Sequence, residues 1–216
     1  MNPLKWYSSG YGLREGFAYS LLSSEDKEKD LLLTSCQTIL SQENKFPLEA
    51  DSMVNWIFPL IAHCGFASVQ HKRLLSAVCT LSDCGWGTFS EYRAEYAFKK
   101  ILHNPWLMAT HEERLCIALT LFLRYNGSLK SPYIGPMYPL IPSKTIKFAK
   151  AMATTLQIYY ALLDGVPSTC TLFPYQLTND TLHMHIAKGL LSQEQILSLK
   201  KCFSKELELC LSILSV

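Results

Sequence analysis

Apolar residues recur along this chain at helical spacing, and in one place near the C-terminus they alternate instead. Met53, Trp56, Leu60 and Cys64 share one face of a helix expected from about 49 to 64, with Pro59 expected to kink it. Leu74, Val78 and Leu81 form the stripe of another, ending at Gly85. Boundary signals agree with these periods. Ser23 with Asp26 reads as a capping box that opens a helix through Leu31, Leu32, Ile39 and Leu40. Ser90 is expected to cap the next helix, with Tyr96, Ala97 and Ile101 inward. Thr110 with Glu113 opens a helix through Leu115, Leu119 and Phe122, with Gly127 as its C′ residue. Pro132, Pro136, Pro139 and Pro142 mark an irregular loop, after which Ser143 starts a long helix to Leu163, closed by Gly165 and Pro167.

The period then changes. Leu182, Met184 and Ile186 alternate with Thr181, His183 and His185, and Asn179-Asp180 is a turn signal. Residues 171–177 and 181–186 are therefore read as a β-hairpin. Ser192 with Gln195 caps a last helix. The sum is a mainly α chain: a bundle of about seven or eight helices with a small β-hairpin near the C-terminus. The expected division is a junction segment and first helix over 1–22, a helical domain over 23–165, and the hairpin with its helix over 166–216, packed on the same domain.

Composition narrows the class. With 216 residues, 49% of them hydrophobic and 18% charged, the chain has material for a sizeable core. A net charge of +2 gives no reason to expect nucleic acid or a membrane as partner. Eight cysteines contain no C-x-x-C spacing, so they read as small apolar core residues in a reduced, cytoplasmic protein. The start of the chain has no apolar run of the signal-peptide kind, and the charge-free stretch Ala151–Leu163 is too short to span a bilayer.

Two stretches carry a family likeness. The first is Gly12-Leu13-Arg14-Glu15-Gly16, followed by Phe17-Ala18-Tyr19-Ser20-Leu21-Leu22. The second is Leu81-Ser82-Asp83-Cys84-Gly85-Trp86, then Glu91-Tyr92-Arg93-Ala94-Glu95-Tyr96, His103, His111-Glu112-Glu113-Arg114 and Phe122-Leu123-Arg124-Tyr125. The first resembles the segment that closes the actin-like region of the Ppx/GppA phosphatases, which are exopolyphosphatases and guanosine pentaphosphate phosphatases. The second resembles the ordered motifs L-x-D-I-G-W, D-Y-R-G-E, I-A-H with D-H-P-G-R, and Y-R-x-x-G in the C-terminal helical domain of the alphaproteobacterial-type members.

The resemblance implies an HD-like helical domain from a family that hydrolyses terminal phosphoanhydrides. It also implies that catalysis and its Mg²⁺ belong to an actin-like half, expected to be missing here or present as a separate chain. At the HD dyad position stand Ser82 and Asp83, and serine is a poor metal ligand. Asn55, Trp56, Tyr92 and Arg93 stand where further ligands are expected. No metal site and no catalytic residue are therefore assigned, and Asp83 is expected to hydrogen-bond the turn before Gly85.

The candidate polyanion contacts are cations. Arg14 suits a phosphate fork, or a structural salt bridge with Glu15. Lys144, Lys147 and Lys150 share one helix face, which is either a polyphosphate path or a solvated surface. Arg93 and Arg124 border the remnant HD pocket, where a small phosphorylated ligand is one reading, or form buried ion pairs with Glu95 or Glu91. His103 and His111 lack enough companion ligands for a metal. The expected partners are an actin-like phosphatase unit, docked around residues 7–19, polyphosphate or a guanosine polyphosphate, and a second copy of the chain. The alternatives are a stand-alone regulatory module that binds a phosphorylated ligand, and a split-gene remnant without function.

Overall fold

The computed structural model describes residues 12–42, 50–163, 174–186, 192–207 and 210–215. The helices are α1 (Leu13–Ser20), α2 (Ser24–Glu28), α3 (Leu31–Gln42), α4 (Ala50–His63), α5 (Val69–Thr80), α6 (Arg93–Leu102), α7 (His111–Arg124), α8 (Ser143–Leu163) and α9 (Gln193–Glu206). The strands are β1 (Tyr175–Thr178), β2 (Thr181–Ile186) and β3 (Cys210–Ser215). The protein is mainly α, with its small sheet near the C-terminus.

Helix α8 is the centre of the bundle, and α4 and α7 pack along it. Its residues are buried almost all round, from Ile146 and Phe148 through Met152 and Leu156 to Leu162. Small side chains at Ala149, Ala151 and Ala153 let neighbouring helices approach. Helices α5 and α6 flank α7, and α3 covers α5. Leu75, Ile57, Leu60, Ile101, Ile117 and Phe122 fill the space between. Each such side chain contributes about 1.5–3 kcal/mol on burial.

Several expected boundaries hold. Thr110 accepts from the Glu113 N–H while the Glu113 carboxylate accepts from the Thr110 N–H, a complete capping box. Helix α8 spans the expected residues, although Gly165 and Pro167 lie outside the described ones. Helix α4 continues through Pro59.

Three boundaries and the direction of one side chain differ. Ser23 does cap a helix, but Lys29 turns extended (ψ 142°) and ends it. Asp30 then accepts from the Leu33 N–H at the start of α3. Ser90 does not cap α6. It lies in a 3-10 turn, and the Tyr92 cap position of α6 makes no side-chain bond. Tyr96 points outward, because Ala94, Ala97, Phe98 and Ile101 already define the inner face. The left-handed residue that ends α7 is Asn126 (φ 62°), not Gly127. The Gly127 N–H bonds the Phe122 carbonyl and the Asn126 N–H bonds the Leu123 carbonyl, a Schellman arrangement. Gly127 is required for space: a Cβ there would overlap the Phe122 ring.

The hairpin pairs Tyr175–Thr178 with Thr181–Met184, and Asn179 takes a left-handed turn (φ 52°). The start of the expected first strand lies outside the described residues. A third strand, β3, joins β2 in parallel after the α9 crossover. The sheet is anchored to α4, where the Tyr175 hydroxyl donates to the Trp56 carbonyl at 2.6 Å. The Trp56 ring meets Tyr175 and Tyr159 edge to face. Leu182, Met184, Phe203 and Leu207 are buried.

Among the described residues, Cys36, Cys79, Cys84 and Cys116 are buried, while Cys210 is exposed. Burial pushes the Cys36 and Cys116 thiols up to about 12, so they pack as apolar groups. No described helix is long and apolar enough to cross a membrane.

Candidate functional site

Ser82 and Asp83 lie where the end of α5 meets the end of α7. Asp83 sits in the turn after α5, where its backbone carbonyl accepts from the Trp86 N–H at 3.0 Å. Its carboxylate reaches Arg124, whose Nη2 donates to Oδ1 at 3.0 Å. Arg124 is buried in the apolar stripe of α7, in step with Ile117 and Leu121. Its guanidinium lies 4.0 Å from the Tyr160 ring centroid and 4.5 Å from that of Tyr125. Its Nε has no hydrogen-bond partner.

The surrounding hydroxyls lock this arrangement. Tyr125 donates to the Ser82 carbonyl at 2.9 Å and accepts from the Gly85 N–H at 3.3 Å. The hydroxyls of Ser82 and Tyr160 are 2.7 Å apart. A Cβ on Gly85 would lie 2.8 Å from Tyr125, so the ring needs glycine beneath it. Gln157 donates to the carbonyls of Leu123 and Arg124 and so ties α8 to the end of α7. Burial pushes the Tyr125 phenol up to about 12, and burial with the nearby Asp83 charge pushes the Tyr160 phenol up as well.

These residues do not fit a divalent cation. A guanidinium occupies the carboxylate that a metal would need, and protonated phenols and a serine are poor ligands. Among the described residues no group of three His, Cys, Asp or Glu side chains is placed to hold a metal. His103 and His111 are both exposed. The constellation does structural work: it fastens three helices through one buried cation.

The other candidate cations lie apart from it. Arg93 opens α6, donates from Nε to the Thr88 carbonyl at 3.0 Å, and lies 4.4 Å over the Trp86 ring. Thus the carboxylate suggested for Arg124, at Glu91 or Glu95, is replaced by Asp83. Lys144 and Lys147 are exposed and Lys150 half-buried on the first turns of α8. The first turn of α8 holds no acidic residue. Arg14 is exposed on α1, a helix with no buried residue. Leu13 is 91% and Phe17 65% exposed, with Leu21 in line after them. Glu15 accepts from the Gly12 N–H and so caps its own helix.

Two arginines escaped the sequence reading. Arg73 binds both Asp30 and Glu113, joining α5 to the starts of α3 and α7. Arg114 donates to the carbonyls of Ile101, Asn104 and Leu107 and closes the end of α6. Arg114 stands at the arginine of the quoted D-H-P-G-R motif, the one signal that marked it.

A family model described as exopolyphosphatase, C-terminal, matches residues 32–193 of this chain. No curated protein matches it.

Proposed function

The chain belongs to the exopolyphosphatase C-terminal family, and from that premise we propose that it is the docking and polyanion-holding module of a cytoplasmic phosphoanhydride hydrolase of the alphaproteobacterial type. The hydrolysis of polyphosphate ends, with its Mg²⁺, belongs to an actin-like unit on which this module sits. No residue of this chain is assigned to bond cleavage.

The observation that carries this reading is α1. Leu13, Phe17 and Leu21 recur every four residues on one face, and nothing in α1 is buried. An apolar helix face left in water is the mark of a surface that another body covers. Among the described residues its side-chain bonds reach α2, through Tyr19 to the Lys27 carbonyl and Lys27 to the Ser20 carbonyl. Arg14 lies on the same helix and reaches a carboxylate or phosphate of the partner. Lys144, Lys147 and Lys150 form the stripe along which the polyanion runs.

The test is orthophosphate release from long-chain polyphosphate with Mg²⁺, first with this chain alone and then with a separately expressed actin-like unit. Release from the mixture, abolished by Phe17→Asp with Leu21→Asp, is the expected result. Release by this chain alone overturns the assignment of roles.

A further inference from the structure

A second exposed surface is built from rings and cations together. Trp86 is 60% and Phe89 83% exposed, and exposed Tyr92, at the cap position of α6, and Tyr96, on its outer face, follow. Each cation nearby is held against a ring. Arg93 lies 4.4 Å over Trp86, Lys100 5.4 Å over Tyr96, and Lys99 4.3 Å over Tyr133, itself exposed. Two carboxylates belong to the same stretch, Glu91 and Glu95, and Glu95 is engaged with the Tyr133 hydroxyl.

From these observations we infer that the Trp86–Lys100 surface binds single-stranded nucleic acid. A solvated face would not hold four large rings, because each exposes apolar area to water without gain. A purely apolar docking face would not interleave them with cations, and lysine in particular is depleted from protein interfaces. Base stacking needs open π faces, and phosphates need fixed positive charge beside them. Phe89 and Tyr92 are exposed rings, and Trp86, Tyr96 and Tyr133 each hold a cation over one face, which leaves a base the other. Tyr92 and Tyr96 are one helical turn apart, about 6 Å along the axis. Successive bases of an extended strand therefore reach successive rings, while Arg93, Lys99 and Lys100 flank the backbone. Sequence preference is not expected, since every base has a π face. The surface departs from what net charge alone suggests, because +2 averages over a chain whose cations are locally grouped.

The experiment uses the whole chain and a fluorescein-labelled oligo-uridylate about twelve nucleotides long, within the span of one such platform. Binding is read by anisotropy and by quenching of tryptophan emission, across a salt series. Trp86→Ala with Tyr92→Ala is expected to weaken binding roughly tenfold or more. Arg93→Ala is expected to lower the salt slope by about one. Circular dichroism and thermal melting should be unchanged for the ring variants, since those side chains are exposed. Equal loss of oligo-uridylate and of polyphosphate binding in the ring variants, or no effect of the rings at all, overturns the inference. So does a dimer that the ring variants dissociate while the oligonucleotide fails to bind, which would make this face a contact between copies.

Discussion

Nη2 of Arg124 holds the Asp83 carboxylate at 3.0 Å, across 41 residues of sequence. This pair occupies the place where the quoted motif suggests a metal dyad. Its loss should therefore read out as stability. Asp83→Ala leaves a buried guanidinium without its counter-charge and is expected to cost about 3 kcal/mol. Asp83→Ala with Arg124→Met removes the stranded charge as well and should recover part of that loss. Urea unfolding of the two variants measures the difference.

Arg114 donates to three backbone carbonyls at and after the end of α6, and two of them, Ile101 and Leu107, also accept from backbone N–H groups. Arg114→Met removes three charge-assisted bonds, takes from the Asn104 carbonyl the donor it has here, and is expected to cost about 1.5–3 kcal/mol. Arg114→Lys should restore only part of this, because an ammonium lacks the planar fork. Chemical denaturation of both variants tests the claim.

Acid should act in two stages. Burial first, and then Lys144, holds the His71 ring below its ordinary value, so the folded state favours the neutral form. The Ser68 N–H donates to His71 Nδ1, completing the α5 capping box. Protonation removes that acceptor, so stability falls as pH drops below about 6.5. Burial alone would raise Asp30 and Glu113. The Arg73 hydrogen bond, chiefly for Asp30, and the Thr110 N–H with Arg73, for Glu113, outweigh it, and both carboxyls are held low. Their stabilisation is present above the ordinary carboxylate range and is lost as pH falls through their lowered values. Melting temperature against pH should show both stages. His71→Gln, which keeps a capping partner, should remove the upper one.

The end of α7 separates two kinds of glycine requirement. Gly127→Ala pushes a Cβ into the Phe122 ring and is expected to cost about 1–3 kcal/mol. Asn126→Gly relieves a left-handed residue and should be neutral or slightly stabilising, whereas Asn126→Ala should cost about 1 kcal/mol. Thermal unfolding of the three variants distinguishes space from backbone conformation.

Lys144 sits in the first turn of α8, at the positive end of its dipole and with no acidic residue beside it, and Lys147 lies just beyond that turn. Lys144→Glu with Lys147→Glu is expected to raise stability by about 0.5–1 kcal/mol and to weaken polyphosphate binding. Opposite movement of melting temperature and polyphosphate affinity would mark these lysines as kept for the ligand.

The sequence by itself determined the helices whose ends are signalled within three or four residues. The Thr110–Glu113 box, the span of α8 and the inward faces of α4 and α5 depend on local hydrogen bonds and a 3.6-residue period, and these are written along the chain. The hairpin was legible for the same reason: strict alternation in β2 and a turn of Asn179 and Asp180. The tertiary structure decided what depends on distant neighbours. The strand β3 exists because β2 offers it an edge after the α9 crossover, a pairing that leaves no period in a six-residue segment. Tyr96 looks inward by residue type, yet the packing of Ala97 and Phe98 turned it out. Most of all, Arg124 reads from its sequence neighbours as a ligand contact or as a buried ion pair with Glu91 or Glu95, and the sequence does not point to Asp83 as its partner. It becomes a buried fastener because folding brings Asp83, Tyr125 and Tyr160 around it, and burial makes a charge worth keeping only where its counter-charge is also brought.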